Sequence, residues 1–129
     1  MKLQWLDHVN IRTANLEPMR RFYADVLGLR EGERPPFSFG GSWLYLGEQA
    51  VVHLVETSDQ PDGIEPRIEH LAFRAQGLAE LVATLRERDV EHRVAIVPAT
   101  ELRQVHLMDP DGNHVEVGFE ASEPVNGLV

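Results

Sequence analysis

The chain has 129 residues, a formal net charge of −9 and no cysteine, so it is long enough for one domain with a substantial core. The charge disfavours nucleic-acid and anionic membrane partners, and the lack of cysteine excludes disulfides, thiolate metal sites and cysteine nucleophiles. No apolar run approaches the roughly 20 residues of a membrane helix, and residues 1–8 are too polar for a signal peptide, so we expect a cytoplasmic protein.

The first predicted element is a strand over residues 5–13, where polar and apolar side chains alternate. His8, Asn10 and Arg12 share one face of this strand, and its apolar residues share the other. A helix is predicted over residues 16–26, because large apolar residues recur there at helical spacing. We expect the helix to pack on the apolar face of the strand.

The next part of the chain predicts three further strands. Residues 37–39 can pair only as an edge strand, because a Pro-Pro pair and a Gly-Gly pair flank them. Alternation then predicts strands over residues 42–46 and 50–56. The face turned away from the helix carries three ring side chains: Trp43, Tyr45 and His53.

The second half of the chain predicts the same order of elements. A strand over residues 68–74 is followed by a helix whose buried stripe is Leu78, Leu81, Val82 and Leu85. Three more strands are predicted over residues 93–97, 103–108 and 114–119. Residues 109–112 (Asp-Pro-Asp-Gly) predict a tight turn, and residues 121–129 a loose tail or an arm on a partner subunit.

The two halves repeat each other. Residues 6–13 and 68–75 have the same pattern, so that His8 corresponds to His70, and His53 corresponds to Glu116 near the end of each half. The repeat predicts an α+β fold of two βαβββ modules within a single domain, with module one over 4–57, a linker over 58–66 and module two over 67–120.

The faces turned away from the helices carry histidines and a carboxylate that the strands do not need for packing. Imidazole and carboxylate are the groups that bind a borderline divalent metal when thiolates are absent. We predict that His8, His70 and Glu116 bind one divalent ion, with Zn, Ni, Fe and Mn as candidates. His53 is either a fourth ligand or a histidine that hydrogen-bonds to a ligand. His106 is interpreted as an acid/base or substrate-facing group.

Other residues on these faces are candidates for binding a small-molecule substrate. Arg12 and Arg74 could hold a carboxylate bidentately, or could instead pair with a surface acid. Asn10 lies on the same face as Arg12. Trp43 and Tyr45 either line a pocket or cover the sheet under a partner subunit. His92 and His114 are interpreted as ordinary hydrogen-bonded or half-exposed residues.

Four motifs carry a family resemblance: residues 6–9 (Leu-Asp-His-Val), 22–29 (Phe-Tyr-Ala-Asp-Val-Leu-Gly-Leu), 68–73 (Ile-Glu-His-Leu-Ala-Phe) and 109–116 (Asp-Pro-Asp-Gly-Asn-His-Val-Glu). With them the chain resembles the vicinal oxygen chelate superfamily. That superfamily includes glyoxalase I, metal-dependent fosfomycin resistance transferases, type I extradiol dioxygenases, methylmalonyl-CoA epimerase and metal-free bleomycin resistance proteins.

The resemblance implies two tandem βαβββ modules that form a cupped mixed sheet around a metal, with His8, His70 and Glu116 at the ligand positions. His53 falls where bacterial glyoxalase I carries a glutamate ligand. The resemblance implies a glyoxalase-like isomerase or lyase that stabilises an enediolate or oxyanion of a small oxygenated substrate, with Glu116 or His53 moving the proton.

Two alternatives remain open for the activity. In a non-haem Fe(II) extradiol-type dioxygenase, His8, His70 and Glu116 would form a facial triad. In a metal-free resistance protein, the same surface would sequester a ligand. We also expect a homodimer, because residues 37–39 leave a sheet edge and Trp43 and Tyr45 leave an apolar rim for a twin to cover.

Overall fold

The computed structural model describes residues 1–2, 4–61, 68, 70–98 and 100–128. The chain divides into two compact units, Met1–Gly63 and Ile64–Val129. Each unit contains a strand, a helical segment and three further strands, with one four-stranded mixed sheet. The predicted α+β fold of tandem βαβββ modules is therefore confirmed. No helix in the described residues is long and apolar enough to cross a membrane.

The first unit orders its strands β1-β4-β3-β2, with β1 parallel to β4 and the other pairs antiparallel. Its elements are β1 (Val9–Thr13), α1 (Leu16–Arg21), a wider π-helical turn (Phe22–Val26), β2 (Arg30–Gly32), β3 (Gly41–Leu46) and β4 (Gln49–Glu56).

The second unit repeats this arrangement in the order β5-β8-β7-β6, with β5 parallel to β8. Its elements are β5 (His70–Arg74), α2 (Leu78–Glu87), β6 (His92–Ile96), β7 (Arg103–Met108) and β8 (His114–Phe119). The part of the predicted linker over residues 62–66 lies outside the described residues.

Each core lies between the helical segment and one face of its own sheet. The helix side of the first core is made by Met19, Phe22 and Tyr23, and the sheet side by Leu44, Val52 and Leu54. In the second unit the helix side is Leu78, Val82 and Leu85, and the sheet side is Val105, Val115, Val117 and Phe119. The apolar alternation of the strands therefore identifies the buried faces correctly, and the polar alternates lie on the opposite, open faces.

The first helical segment is not the single α-helix predicted over residues 16–26. It widens at Phe22, and Leu27 N donates to Phe22 O at 3.2 Å, five residues back. Phe22 and Tyr23 are neighbours in the chain and are both buried, which the wider turn accommodates. Gly28, at φ +75°, then ends the segment.

The edge strand of the first sheet is also not where it was predicted. Residues 37–39 lie outside the sheet, and Arg30–Gly32 pairs with β3 instead. Gly32 allows the Tyr45 ring to lie against this strand, because a Cβ there would be 2.8 Å from the ring. The Phe37 and Phe39 rings stack on each other at 5.0 Å, and the Arg34 guanidinium lies over both.

The described part of the predicted tail, residues 121–128, contacts the second unit. The Glu123 carboxylate accepts hydrogen bonds from Gly77 N (2.9 Å) and Leu78 N (3.3 Å) at the start of α2. The Arg86 guanidinium donates to Gly127 O. Gly77 occupies the N-cap position at φ +90° and has no side chain to cap the helix, so the C-terminal segment supplies the cap.

Candidate functional site

The two open faces have matching central positions. In the first sheet, His53 on β4 lies between Asn10 on β1 and Trp43 on β3. In the second sheet, Glu116 on β8 lies between Ala72 on β5 and His106 on β7. The strand register of each unit thus gives His53 and Glu116 equivalent positions, as the sequence repeat indicates.

His53 is held between two other rings. Its ring stacks on His8 at 3.9 Å with an interplanar angle of 14°, and on Trp43 at 3.9 Å with an angle of 9°. The residue is only 8% exposed. Stacking covers the two faces of the imidazole, whereas the nitrogen lone pair lies in the plane of the ring. The stack holds the His53 ring in place, with its plane nearly parallel to that of His8, so one of the two rings must rotate before both can direct a nitrogen lone pair at the same ion.

Burial lowers the pKa of His53, and the neighbouring His8 lowers that pKa further. A hydrogen bond to the backbone of Ala50 and the charge of Asp7 oppose these effects without reversing them. The imidazole of His53 is consequently neutral at physiological pH, and the neutral form is the one that binds metals.

His8 is oriented by a neighbouring carboxylate. Its Nδ1 lies 2.7 Å from Asp7 Oδ2. An ionised carboxylate can only accept a hydrogen bond, so we assign the proton to Nδ1, which leaves the lone pair on Nε2. A carboxylate behind a histidine is the arrangement that fixes the tautomer of metal-binding histidines.

The open face of the second sheet holds three histidines beside Glu116. His106 Nδ1 and His114 Nε2 are hydrogen-bonded at 3.1 Å, and the His70 ring meets His114 edge-on at 5.2 Å. Burial lowers the pKa of His106, and the charge of Arg93 acts in the same direction. His114 was interpreted from the sequence as an ordinary histidine, yet it contacts both of its histidine neighbours. The alternation of β8 was the available signal, because it places His114 on the face of Glu116.

The β7–β8 turn sets the register of these residues. The buried Asp109 carboxylate accepts hydrogen bonds from Asp111 N (3.0 Å), Asn113 N (2.8 Å) and Asn113 Nδ2 (2.8 Å). Gly112, at φ +83°, donates its N–H to Asp109 O. The turn predicted over residues 109–112 is therefore present, and it brings His106 opposite Glu116.

The other predicted substrate-binding residues occupy different settings. Arg12 is exposed on β1 and lies opposite Val55, and Asn10 is an exposed neighbour of His53. Tyr45 is held at the sheet edge, where its hydroxyl donates to Glu33 O and Arg30 lies over its ring at 4.8 Å. Arg74 is exposed on β5, and its nearest ion-pair contact is Glu120 at 3.8 Å.

A pocket of about 260 Å³ opens in the second unit. Its lining residues come from the ends of β5, β7 and β8 and from the residue before β7: Ala72, Phe73, Arg74, Leu102, Arg103, Gln104, Glu116 and Gly118. The sequence reading identified Arg74 and Glu116 and missed the remaining polar residues of the pocket. Gly118, a glycine inside a strand pattern, was the signal that could have pointed to it.

The predicted metal set takes His8 and His53 from the first unit and His70 and Glu116 from the second. In the described parts of the chain, neither unit by itself groups three or more His, Asp or Glu side chains closely enough to hold a metal ion. The four-residue set therefore stays a prediction, and the observations that bear on it are the orientation and protonation of its members.

Comparisons with known proteins agree with this fold. The family model described as the Glyoxalase/Bleomycin resistance protein/Dioxygenase superfamily matches residues 5–117. A metapyrocatechase from Geobacillus stearothermophilus is 27% identical over 125 residues, which are 90% of this chain but only 37% of that protein. The chain thus spans little more than a third of this relative's length.

Two solved structures illustrate the structural similarity. A glyoxalase family protein from Bacillus anthracis matches with a TM-score of 0.77 and 22% identity, over 93% of this chain and 98% of that one. A lactoylglutathione lyase from Agrobacterium tumefaciens matches with a TM-score of 0.69 and 22% identity, over 92% and 96% of the two chains. At this level of identity the two matches bear on the fold alone.

Proposed function

Because the chain belongs to the Glyoxalase/Bleomycin resistance protein/Dioxygenase superfamily, we propose that it is a divalent-metal-dependent enzyme acting on a small oxygenated molecule. His8, His70 and Glu116 supply the ligands, and His53 is either a fourth ligand or a histidine that hydrogen-bonds to one. Imidazoles with one carboxylate suit Zn, Ni, Fe or Mn.

The hydrogen bond between His8 Nδ1 and the Asp7 carboxylate is the observation that carries this proposal. His8 is exposed just before β1 and needs no such partner for packing, whereas a ligand histidine benefits from a fixed tautomer. The lowered pKa of His53 gives further support, because it keeps a second imidazole neutral.

When bound, such a metal supplies an electrophile that stabilises the negative charge developing on a substrate oxygen. The side chains of the second unit carry the proton chemistry. Glu116 takes the proton from the substrate, and His106, its neutral cross-strand neighbour, exchanges a proton with it. His53 is the alternative base. Arg12 and Arg74 orient an anionic part of the substrate.

An isomerase or lyase reaction of the glyoxalase type is the preferred activity. His53 offers a fourth protein donor, which suits a metal that binds substrate alone better than one that must also bind dioxygen. The similarity to metapyrocatechase favours the second candidate, an extradiol-type dioxygenase that uses Fe(II) with His8, His70 and Glu116.

Elemental analysis of the purified protein tests the proposal directly. We expect about one divalent ion per chain, a loss of that ion in His70→Ala, and full metal content in the control His92→Ala. His92 lies opposite Leu107, on the other face of its sheet from His106. Full metal content in His70→Ala would refute the ligand assignment. A wild-type protein that stays without metal after incubation with Ni(II), Zn(II) and Fe(II) would favour ligand sequestration instead.

Activity of the reconstituted protein then separates the two reactions. Each metal form is assayed on hemithioacetals and on catechols. Conversion of a hemithioacetal by the Ni(II) or Zn(II) form is expected. Oxygen uptake with a catechol by the Fe(II) form, together with no turnover of any hemithioacetal, would reverse the ranking.

We also propose that the protein is a homodimer. Large apolar side chains are exposed near the start of the chain and beside the first sheet, including Leu6 at 80%, Trp5 at 66% and Phe37 and Phe39 at 45% each. A second copy that covers them would bury apolar surface that a monomer leaves in water. Sedimentation that finds only a species of 14.6 kDa at micromolar concentration would contradict this.

A further inference from the structure

Gly118 leaves a gap in the open face of the second sheet, although the backbone conformation at this position does not require a glycine. It is buried near the end of β8, between Arg74 on β5 and Gln104 on β7. Its φ is not positive, unlike that of Gly28, Gly47, Gly77, Gly112 and Gly127. A glycine inside a strand weakens the strand, so the missing side chain needs another explanation. The pocket of about 260 Å³ lies where that side chain would be.

The first unit shows what an ordinary residue does at this position. Its equivalent is Val55, which lies between Arg12 and Gly41 in the same register. A Cβ at Gly118 would lie 3.6 Å from Arg74 Nη1 and 3.7 Å from Phe73 O, which are ordinary contacts. A valine is therefore compatible with the fold of the second unit too, and its methyl groups would occupy the pocket.

The cation of the pocket is Arg74. Its guanidinium lies beside Gly118, with Nη1 3.6 Å from the position that a Cβ would take there. Its ion-pair contact among the described residues is Glu120 at 3.8 Å, longer than a charge-assisted hydrogen bond, so the guanidinium is available to an anion. Arg103 also borders the pocket, but it lies opposite the buried Phe119 and turns its guanidinium to the other face of the sheet.

The neighbouring polar groups and the volume of the pocket limit its ligand. The Arg103 guanidinium donates to the backbone carbonyls of Glu101 and Glu123, so it is not free to bind a ligand in the pocket. The Gln104 amide lies on the far side of Gly118 from Arg74 and offers a neutral donor. The volume is below the roughly 300–1,000 Å³ of sites for drug-sized ligands, which favours a small molecule over a nucleotide or a coenzyme.

We propose that this pocket binds the carboxylate of a small organic acid, with Arg74 as the principal partner, Gln104 as a second donor and Gly118 as the floor. Glu116 lies two residues along the same strand, about 7 Å from Gly118 between Cα atoms. An acid held at Gly118 therefore lies beside the strand that also carries Glu116. Because this acid would be the substrate of the metal-dependent enzyme, the subsite rests on the proposed function and narrows it to small carboxylic acids.

Binding is measured on EDTA-treated, metal-free protein, so that it does not depend on the metal. Acetate, pyruvate and benzoate are titrated separately, each against its neutral amide, while the backbone amide of Gly118 and the side-chain amide of Gln104 are followed by NMR. At least one acid should bind saturably, and its amide should not. The proposal would be overturned if none of the three acids binds saturably, or if the acid that binds does so no more tightly than its amide.

Three variants and a control locate the site. Gly118→Val should abolish binding, and Arg74→Gln should weaken it roughly tenfold to a hundredfold, as expected for a lost charge-assisted hydrogen bond. Arg93→Gln, a cation on the same sheet beside His106, should change binding less than about twofold. If Gly118→Val folds and still binds the acid with wild-type affinity, the assignment of the acid to this pocket is refuted. If that variant fails to fold, unchanged affinity in Arg74→Gln refutes it instead.

Glu116→Gln separates this proposal from the metal proposal. Removing the carboxylate takes a like charge away from the bound acid, so the metal-free variant should bind the acid more tightly than the wild type. The same variant should lose the metal ion. Tighter acid binding with the metal content unchanged would leave the subsite standing and refute the ligand role of Glu116. Weaker acid binding would refute the subsite.

Discussion

The C-terminal segment stabilises the second unit through one side chain, and Glu123→Ala should reveal this. The Glu123 carboxylate accepts from Gly77 N at 2.9 Å and Leu78 N at 3.3 Å, although it lies 46 and 45 residues away from them in sequence. Gly77 cannot cap α2 itself. Alanine removes both hydrogen bonds, and it keeps the backbone carbonyl of Glu123 that accepts from Arg103 Nε.

The expected loss has two parts. Removal of a capping side chain costs about 0.5–2 kcal/mol. A negative charge at a helix N-terminus contributes a further 0.3–1 kcal/mol or so. Since Glu123 is partly buried, we expect Glu123→Ala to lower the free energy of unfolding by about 1.5–2 kcal/mol. Glu123→Gln retains an acceptor oxygen and should lose roughly half as much.

Urea unfolding followed by circular dichroism measures these changes. With a slope of about 1–3 kcal/mol per molar urea, the midpoint of Glu123→Ala should fall by roughly 0.5–2 M. Glu87→Gln is the matched control, because Glu87 is exposed at the opposite end of α2. Its removal relieves an unfavourable charge at the C-terminal end of the helix and should leave stability equal or slightly higher. Equal midpoints for Glu123→Ala and Glu87→Gln would refute the capping role.

Two further predictions concern the β7–β8 turn and the histidines. Asp109→Ala should cost about 2–3 kcal/mol in the same assay, because it leaves the donors of a buried, triply hydrogen-bonded carboxylate unpaired. Asp111→Ala should cost far less, since Asp111 Oδ2 is buried without a hydrogen-bond partner in the described structure. The lowered pKa values of His53 and His106 mean that the unfolded chain binds protons which the folded protein does not. The free energy of unfolding of the metal-free protein should therefore fall as the pH drops from about 6.5 toward those lowered values, and level off below them. A flat profile, or an identical slope in His53→Gln, would contradict this.

Local patterns in the chain were sufficient for much of the fold. Alternation along β4, β7 and β8 identified the buried faces, because neighbouring side chains of a strand point to opposite sides. The predicted buried stripe of α2 is confirmed for Leu78, Val82 and Leu85, which are fully buried. These features depend on residues close together in sequence, so their periodicity can be recognised from the sequence alone.

The repeat also predicted which residues, His53 and Glu116, occupy the central position of each open face. The correspondence of His53 with Glu116 follows from the spacing of two similar halves, and the strand register of each unit agrees with it. Periodicity could not reveal how the rings pack. The stacking of His8 and Trp43 on His53 and the hydrogen bond between His106 and His114 depend on distances between strands.

The sequence by itself determined the tandem α+β modules, their buried faces and the residue types available for metal chemistry. Tertiary structure alone decided that Arg30–Gly32 is the edge strand, that Glu123 caps α2, and that Gly118 opens a pocket between Arg74 and Gln104. Each of these depends on residues distant in sequence, or on the space that a glycine leaves for a neighbouring side chain. The physical reason is that a local pattern records which side a residue faces, whereas pairing, capping and cavities depend on what the rest of the chain places against it.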